Sequence, residues 1–271
     1  RLGCQAKVMG DVVIDVPPES QVHKQVVRKR VEAREIRMDP SVHLHFVEVA
    51  EPDMHDPSGD LERLSDALRD QWGFKDVTID LPVLTTLQPT LRKGEWKVTV
   101  ALHQVAATDT PRIMQVWPGL YEGSIYGVAV DLGSTTIAGH LCDLRTGEVV
   151  ASSGLMNPQI RFGEDLMSRV SYSMMNPHGA AEMTAAVRAA MNTLFGQLCD
   201  EAKVERALIM DSVFVCNPVM HHLFLGIDPY ELGQAPFALA TSNALRLTAR
   251  DLELQMHPAA RVYLLTCIAG H

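Results

Sequence analysis

The sequence is short of the features that staple or anchor a chain. Its 271 residues include only five cysteines (Cys4, Cys142, Cys199, Cys216 and Cys267), widely scattered and without a C-x-x-C pair. That excludes a disulfide framework and a self-contained zinc site, and it fits a reducing, cytoplasmic compartment. No apolar run approaches the roughly 18 residues a membrane helix needs, and the longest candidate, Val262 to Ala269, is strand-sized. Positive charge is also scarce: 24 Lys+Arg against 33 Asp+Glu leave a net charge of -9. The chain as a whole therefore has no electrostatic pull toward nucleic acid or an anionic membrane. There is no internal repeat of fixed period. What is present is ordinary globular material, 46% hydrophobic and 21% charged, enough for about two domains. The chain opens on Arg1 and closes on His271 directly after an apolar stretch, so both ends read as cut from a longer protein.

Residues 1–17 read as a Gly-punctuated strand pair stopped by Pro17 and Pro18, and residues 18–40, dense in Lys and Arg, as a solvated linker. Residues 41–122 read as a small α+β domain. Val42, Leu44 and Phe46 alternate as one face of a strand, and His43 and His45 on the other face read as a surface pair. Ser58 is placed to cap a helix that Gly73 ends, and Asp80 to cap a second over Leu81 to Arg92 that Gly94 ends. Trp96, Val98, Val100 and Leu102 share a strand face.

From Gly123 the pattern becomes a three-strand antiparallel meander, SIYGVAVDLGS, TTIAGHLCDL and EVVASSG. Helices near 164–175 and 177–203 follow, the second with Asn176 as cap and Met183, Val187, Met191, Leu194 and Leu198 as its core stripe. A strand over 207–215, a short helix over 219–225 and a last strand over 262–268 complete the reading. The fold class is α/β, and residues 123–271 form a single unit with a mixed sheet.

The segment with chemistry in it is Val128 to Thr136, an apolar strand that ends in Asp131 and turns through Gly133, Ser134, Thr135 and Thr136. Glycine allows close backbone approach, successive N–H groups in a turn can cradle an anion, and hydroxyls add donors. Asp131 would repel bare phosphate, so its place there makes sense if it serves Mg²⁺ or the attacking water. The alternative is a plain hairpin in which Asp, Gly and Ser only make the turn.

DLGSTT followed by the meander resembles the first phosphate motif of the actin, sugar kinase and Hsp70 superfamily. NPQIRFGEDLMSRV (157–170), NPVMHHLFLGIDPYELGQAPF (217–237) and the terminal CIAGH (267–271) resemble, more narrowly, the ATP-dependent reductive activators of corrinoid proteins. The opening RLGCQ resembles the last-cysteine motif of a [2Fe-2S] ferredoxin. The resemblance implies the end of a ferredoxin domain at 1–17, then a linker, a middle domain at 41–122, and the first part of an actin/Hsp70-like, ribonuclease H-type domain at 123–271. It implies return of cob(II)alamin to cob(I) on a corrinoid protein of a methyltransferase system, driven by ATP with Mg²⁺ and fed by a [2Fe-2S] cluster. The electron donor to that cluster stays unnamed, and a homodimer is compatible.

By the same resemblance Asp131 is the catalytic candidate, and Gly133, Ser134, Thr135 and Thr136 surround phosphate and metal. Asn157, Gln159, Gly163, Asp165 and Asn217 line the nucleotide cleft or the partner face. Cys4 is a cluster ligand only if three thiolates precede it; otherwise it is a small thiol. Cys216 stands where the family pattern has glycine before Asn217. The superfamily's second phosphate motif and glycine-rich adenosine motif do not occur before His271. These residues alone are thus expected to bind ATP weakly or not at all, and a sheet stopped at Ile268 to leave an unpaired edge and uncovered apolar surface. A small-molecule kinase of the same superfamily and a passive electron-transfer module are the competing readings. Adjacent His221 and His222 point in different directions on a helix and read as packing residues rather than a metal site.

Overall fold

The computed structural model describes Gly10 and residues 37–268. The ferredoxin-like opening with Cys4, most of the basic linker and the last three residues lie outside them.

The first unit is a four-stranded sheet in the order β1-β3-β4-β2. β1 (Val42–Glu48), β3 (Lys97–His103) and β4 (Arg112–Pro118) are antiparallel, and the two-residue β2 (Thr78–Ile79) runs parallel to β4. Helices α1 (Asp60–Trp72) and α2 (Leu81–Lys93) cover one face. Their Leu64, Leu68, Leu87 and Leu91 close a core with Val98, Val100 and Leu102, while Trp96 of the same face packs at its margin.

β1 is apolar on both sides. Its Val47 packs under the helices, whereas Val42 and Leu44, the alternation visible in the sequence, face the second unit. The strand therefore turns His45 inward, edge-on to Trp72 and Phe74 with ring centroids 4.6 and 5.0 Å away. Of the expected surface pair, only His43 is exposed.

Two caps also differ from expectation. Arg63, 4% exposed, gathers the carbonyls of Glu51 (3.1 Å), Asp56 (2.6 Å) and Ser58 (3.2 Å), so Ser58 is drawn into the preceding loop and Gly59 becomes the N-cap of α1. Asp80 does occupy the N-cap of α2, but its carboxylate pairs with Arg112 instead of the helix amides.

The second unit is a six-stranded mixed sheet in the order β7-β6-β5-β8-β10-β9. β5 (Tyr126–Leu132), β6 (Thr136–Asp143) and β7 (Val149–Met156) form the antiparallel meander. Helices α3 (Leu166–Met175) and α4 (Gly179–Ala202) carry the chain to β8 (Ile209–Cys216), parallel to β5. Helix α5 (Pro218–Leu225) and a long irregular stretch precede β9 (Leu245–Thr248) and β10 (Arg261–Leu264), the latter parallel to β8. The stripe Met183, Val187, Met191, Leu194 and Leu198 of α4 is fully buried, most of it against Val128, Val130, Leu132, Phe214 and Val262 of the sheet.

Asn176 does not cap α4. It closes α3, its side chain donating to the Tyr172 carbonyl (2.9 Å), and α4 starts three residues later. The expected edge at the last strand is also absent, because β9 pairs antiparallel outside β10. β10 itself ends at Leu264, where the chain peels away and the Cys267 N–H reaches the Ser242 carbonyl at 3.1 Å.

A small shared core of Val42, Ala101 and Met114 with Ile125, Met210 and Ala259 joins the two sheets. The Ser41 hydroxyl on Asp211 and His257 on Gln115 (3.1 Å) add polar contacts across the junction.

Burial, assisted by neighbouring His43, lowers the His45 pKa from 6.5 to about 4, and its Nδ1 is buried without a partner. Between those two values the unfolded chain binds a proton the folded one refuses, so stability falls as pH drops from 6.5 toward 4. His45→Phe should keep the aromatic cluster, leave stability at pH 7.5 nearly unchanged and reduce this acid slope in urea titrations at pH 7.5 and 4.5. His103, lowered to about 4 as well, supplies part of the slope that remains.

Candidate functional site

In a sheet with parallel strands, ligands sit beyond the carboxyl ends of those strands. Here these are the ends of β5, β8 and β10, and the DLGSTT turn lies at the first of them. Asp131 is the penultimate residue of β5, on the face opposite buried Val130 and Leu132. Residues 133–135 then form a tight loop into β6.

All four loop carbonyls are engaged from within the protein. The Gly133 carbonyl accepts from Asn157 Nδ2 (2.9 Å), that of Ser134 from an Arg169 Nη (2.6 Å), that of Thr135 from the Asn157 N–H (2.8 Å), and that of Thr136 from the Gly133 N–H (3.1 Å). Pulling carbonyls inward turns the alternate peptide dipoles outward. Among the described residues no backbone or side-chain acceptor engages the N–H of Ser134 or Thr135. Ser134 is half-buried and Thr135 exposed, so the outward edge of the loop is a pair of open donors flanked by hydroxyls. Gly133 is required by space: a Cβ there would lie 2.4 Å from the Thr136 carbonyl oxygen.

Behind the loop is a buried polar belt. Asn157, 1% exposed, also accepts from the Gln159 N–H at 2.9 Å and contacts the Met220 sulfur at 3.6 Å. Gln159, fully buried, donates to the Met183 carbonyl (2.8 Å) and accepts from Arg169 (3.3 Å). Arg169, also fully buried, donates further to the Gly163 carbonyl (3.0 Å) and to the Met220 sulfur (3.3 Å). Burial lowers the Arg169 pKa, with Asp165 opposing the shift, and the charge rests on carbonyl and amide dipoles.

The structure thus separates the five cleft candidates from the loop's outer edge. Asn157 and Gln159 hold the loop from behind. Gly163 lies against the first turn of α3, where a Cβ would sit 2.7 Å from the Arg169 nitrogen. Asp165 caps α3, accepting from the Ser168 N–H (2.7 Å) and hydroxyl (3.0 Å); these bonds hold its carboxyl below the usual range. Asn217 caps α5 at the end of β8, accepting from the Met220 N–H at 3.0 Å, and so delivers the Met220 sulfur to the belt.

Sequence reasoning missed Arg169 and Met220. The signal for Arg169 was its place on the apolar side of α3, three residues after Leu166 and next to Val170, where a solvated arginine does not belong.

The oxygen-rich edge around Asp131, Ser134, Thr135 and Thr136 suits an anion with a hard cation. Mg²⁺ commonly takes one or two carboxylates and completes its shell with phosphate oxygens and water. Among the described residues no three His, Cys, Asp or Glu side chains converge on a metal position. They therefore do not fit an iron-sulfur cluster. His221 and His222 are buried, and His222 is held by the Pro218 carbonyl (2.8 Å) and the Ala240 N–H (3.0 Å).

A meander followed by parallel strands, with two helices on one face and a hydroxyl-rich turn at the first strand's end, defines an actin/Hsp70-like, ribonuclease H-type unit, here preceded by a small α+β unit. Residues 126–271 match the family model described as the RACo middle region and residues 31–123 the RACo linker region, and the chain belongs to this family. The family's linker region thus takes in the first sheet, and its middle region the second. The chain is 32% identical over 149 residues to a corrinoid activation enzyme, RamQ, of Eubacterium limosum, covering 55% of this chain and 25% of that one. A solved reductive activator for corrinoid, iron-sulfur protein superposes with a TM-score of 0.76 at 29% identity, covering 93% of this chain and 41% of that one. The chain therefore spans less than half of either relative.

Arg169→Gln should cost about 2–5 kcal/mol in urea denaturation, because it strips donors from the Ser134 and Gly163 carbonyls and from Gln159 at once. Asp165→Ala removes only a helix cap and should cost clearly less in the same titration. Equal losses in the two variants would show that the belt is not what holds the loop.

Proposed function

We propose that this chain is the loop-bearing portion of an ATP-dependent reductive activator that returns the cobalt of a corrinoid protein from cob(II) to cob(I). Membership of the family and the names of its relatives support the corrinoid half of this reading. The single observation that supports the nucleotide half is the loop: four inward carbonyls, two open N–H donors and an acid at the strand's end.

When bound, ATP with Mg²⁺ would supply the free energy for an uphill one-electron delivery. The Ser134 and Thr135 N–H groups would donate to phosphate oxygens, and the hydroxyls of Ser134, Thr135 and Thr136 would add donors around them. Asp131 would orient water on the metal or the attacking water itself. Asn157 and Arg169 are positioning residues, because they keep the loop's dipoles pointed outward before nucleotide arrives, and preorganised dipoles cost nothing to reorient during reaction. ATP can bias electron delivery only through its unequal affinity for two arrangements of the protein. The electron's source, a [2Fe-2S] domain in this reading, belongs to residues outside the described ones, and the corrinoid protein of a methyltransferase system is the partner. The described cysteines are all free, in keeping with a cytoplasmic setting, and no helix of the described residues is long and apolar enough to cross a membrane.

The test is cob(II)alamin absorbance on a corrinoid protein, followed anaerobically with full-length protein, reductant and ATP. Asp131→Ala should slow ATP-dependent reduction by about 100-fold or more, the usual effect of losing one preorganised electrostatic group. Undiminished reduction in that variant, or reduction that does not need ATP, would sink the nucleotide reading and favour a passive module. ADP release stimulated by a small hydroxyl compound would favour a kinase.

A further inference from the structure

A second cavity lies at the opposite end of the same strands. It encloses about 580 Å³ between the two units, against the amino-terminal halves of β5 (Gly127–Ala129), β8 (Asp211–Val213) and β10 (Arg261–Tyr263). The first unit contributes His103, Asp109 and Arg112, and the second adds Asp211, Arg246 and Arg261. The rest of the wall is largely apolar, with Val105, Val128 and Val213 among its residues.

The charges around this cavity are unevenly matched. Arg112 is paired with Asp80, and Arg246 lies 3.8 Å from Asp109. Asp211 is occupied by the Ser41 hydroxyl and by the Ser212 N–H at 2.8 Å. Arg261 sits directly across the ladder from Asp211, yet among the described residues its guanidinium has neither an ion pair nor a hydrogen bond, and its Nε is buried without a partner. This half-buried guanidinium has the carboxylates of Asp80, Asp211 and Asp251 near enough to favour its charge, but its donors are left for a further acceptor.

The geometry points to a binding site for a small amphipathic anion, a carboxylate or phosphate ester on an apolar body, with Arg261 as its anchor and Arg112 and His103 meeting it from the other unit. The volume is that of an ordinary small-molecule site. His103 carries the electrostatic record of the gap. Burial first, then Arg261, Arg112 and Arg246, lower its pKa to about 4 against the opposing Asp109. An anion among these cations would raise it. Because both units supply contacts, the ligand would also tie them together, and its site is distinct from the nucleotide loop.

Phenyl phosphate, with inorganic phosphate and phenol as controls at constant ionic strength, is the probe. Full-length protein should show a saturable rise in Tm at millimolar phenyl phosphate, larger than with either control, and the His103 imidazole resonance should titrate at higher pH when the probe is bound. Arg261→Met should weaken binding by about tenfold or more. Without probe it should hold or raise Tm, since it removes a half-buried charge that makes no hydrogen bond among the described residues; a structural arginine would lower Tm instead. Asp131→Ala should bind the probe normally, which separates this site from the nucleotide site. The inference is overturned by no saturable response, by an unmoved His103 resonance, by unchanged binding or a clear loss of Tm in Arg261→Met, or by competition between phenyl phosphate and ATP. If Arg261→Met does not fold, that too marks the arginine as structural, and the His103 titration in unaltered protein stands as an independent check.

Discussion

The arrangement of the site depends on one buried cation. Among the described residues Arg169 has no carboxylate in hydrogen-bond contact; it spends its donors on the carbonyls of Ser134 and Gly163, on Gln159 and on a thioether. A guanidinium satisfied this way fixes three separate pieces of chain at once: the turn after β5, the turn before α3 and the first turn of α5. If the loop receives phosphate, as proposed, it needs such backing, because peptide N–H groups can face a ligand only if their carbonyls face something else. The cation behind the loop also adds positive potential where an anion would sit, which compensates in part for Asp131 in front.

Both proposed sites lie at ends of the sheet for a related reason. Its α4 face is closed by a continuous apolar core, so polar chemistry is displaced to the opposite face and to the strand termini. At the carboxyl ends the chain leaves β7 and β8 through capped turns, and Asn157, Asp165 and Asn217 each accept from a backbone N–H two or three residues on. At the amino ends the small shared core around Ile125 and Met210 holds the first unit in place and leaves Arg261 facing a space.

The architecture was legible in the sequence wherever a period ran long enough. The three-strand meander, the α4 stripe and the Trp96 to Leu102 face follow from alternation or helical spacing alone. The misses have local causes. Ser58, Asp80 and Asn176 have side chains suited to capping, and each found a competing partner: the loop gathered by Arg63, the guanidinium of Arg112, and the end of α3. β9 was invisible because four residues, Leu245 to Thr248, are too few for alternation to stand out. At the site, the loop was legible as a string, but the belt behind it was not. Asn157 and Gln159 read as cleft residues because polar side chains in a motif suggest ligand contact; that they face inward depends on Arg169 and Met220, which arrive from other parts of the chain.

The cysteines bear on where the two halves of the proposed chemistry reside. Burial raises the pKa of Cys142, Cys199, Cys216 and Cys267 alike, and Cys216, with Cys267 and Asp131 adding to the effect, is pushed up to about 12. Cluster ligation and redox reactivity both need thiolates, which buried, anion-flanked thiols resist forming. Burial thus favours the neutral thiol in all four, and Cys199 and Cys216 pack in or against the core of the second unit. Cys216 shows the consequence most directly: where the family pattern has glycine, a neutral thiol closes the end of β8 beside Asp131 without introducing a second anion. In the proposed reading the described units hold phosphate and pack, and the electron path enters from elsewhere. That division suits a device in which nucleotide changes the arrangement of domains and a separate group carries the electron.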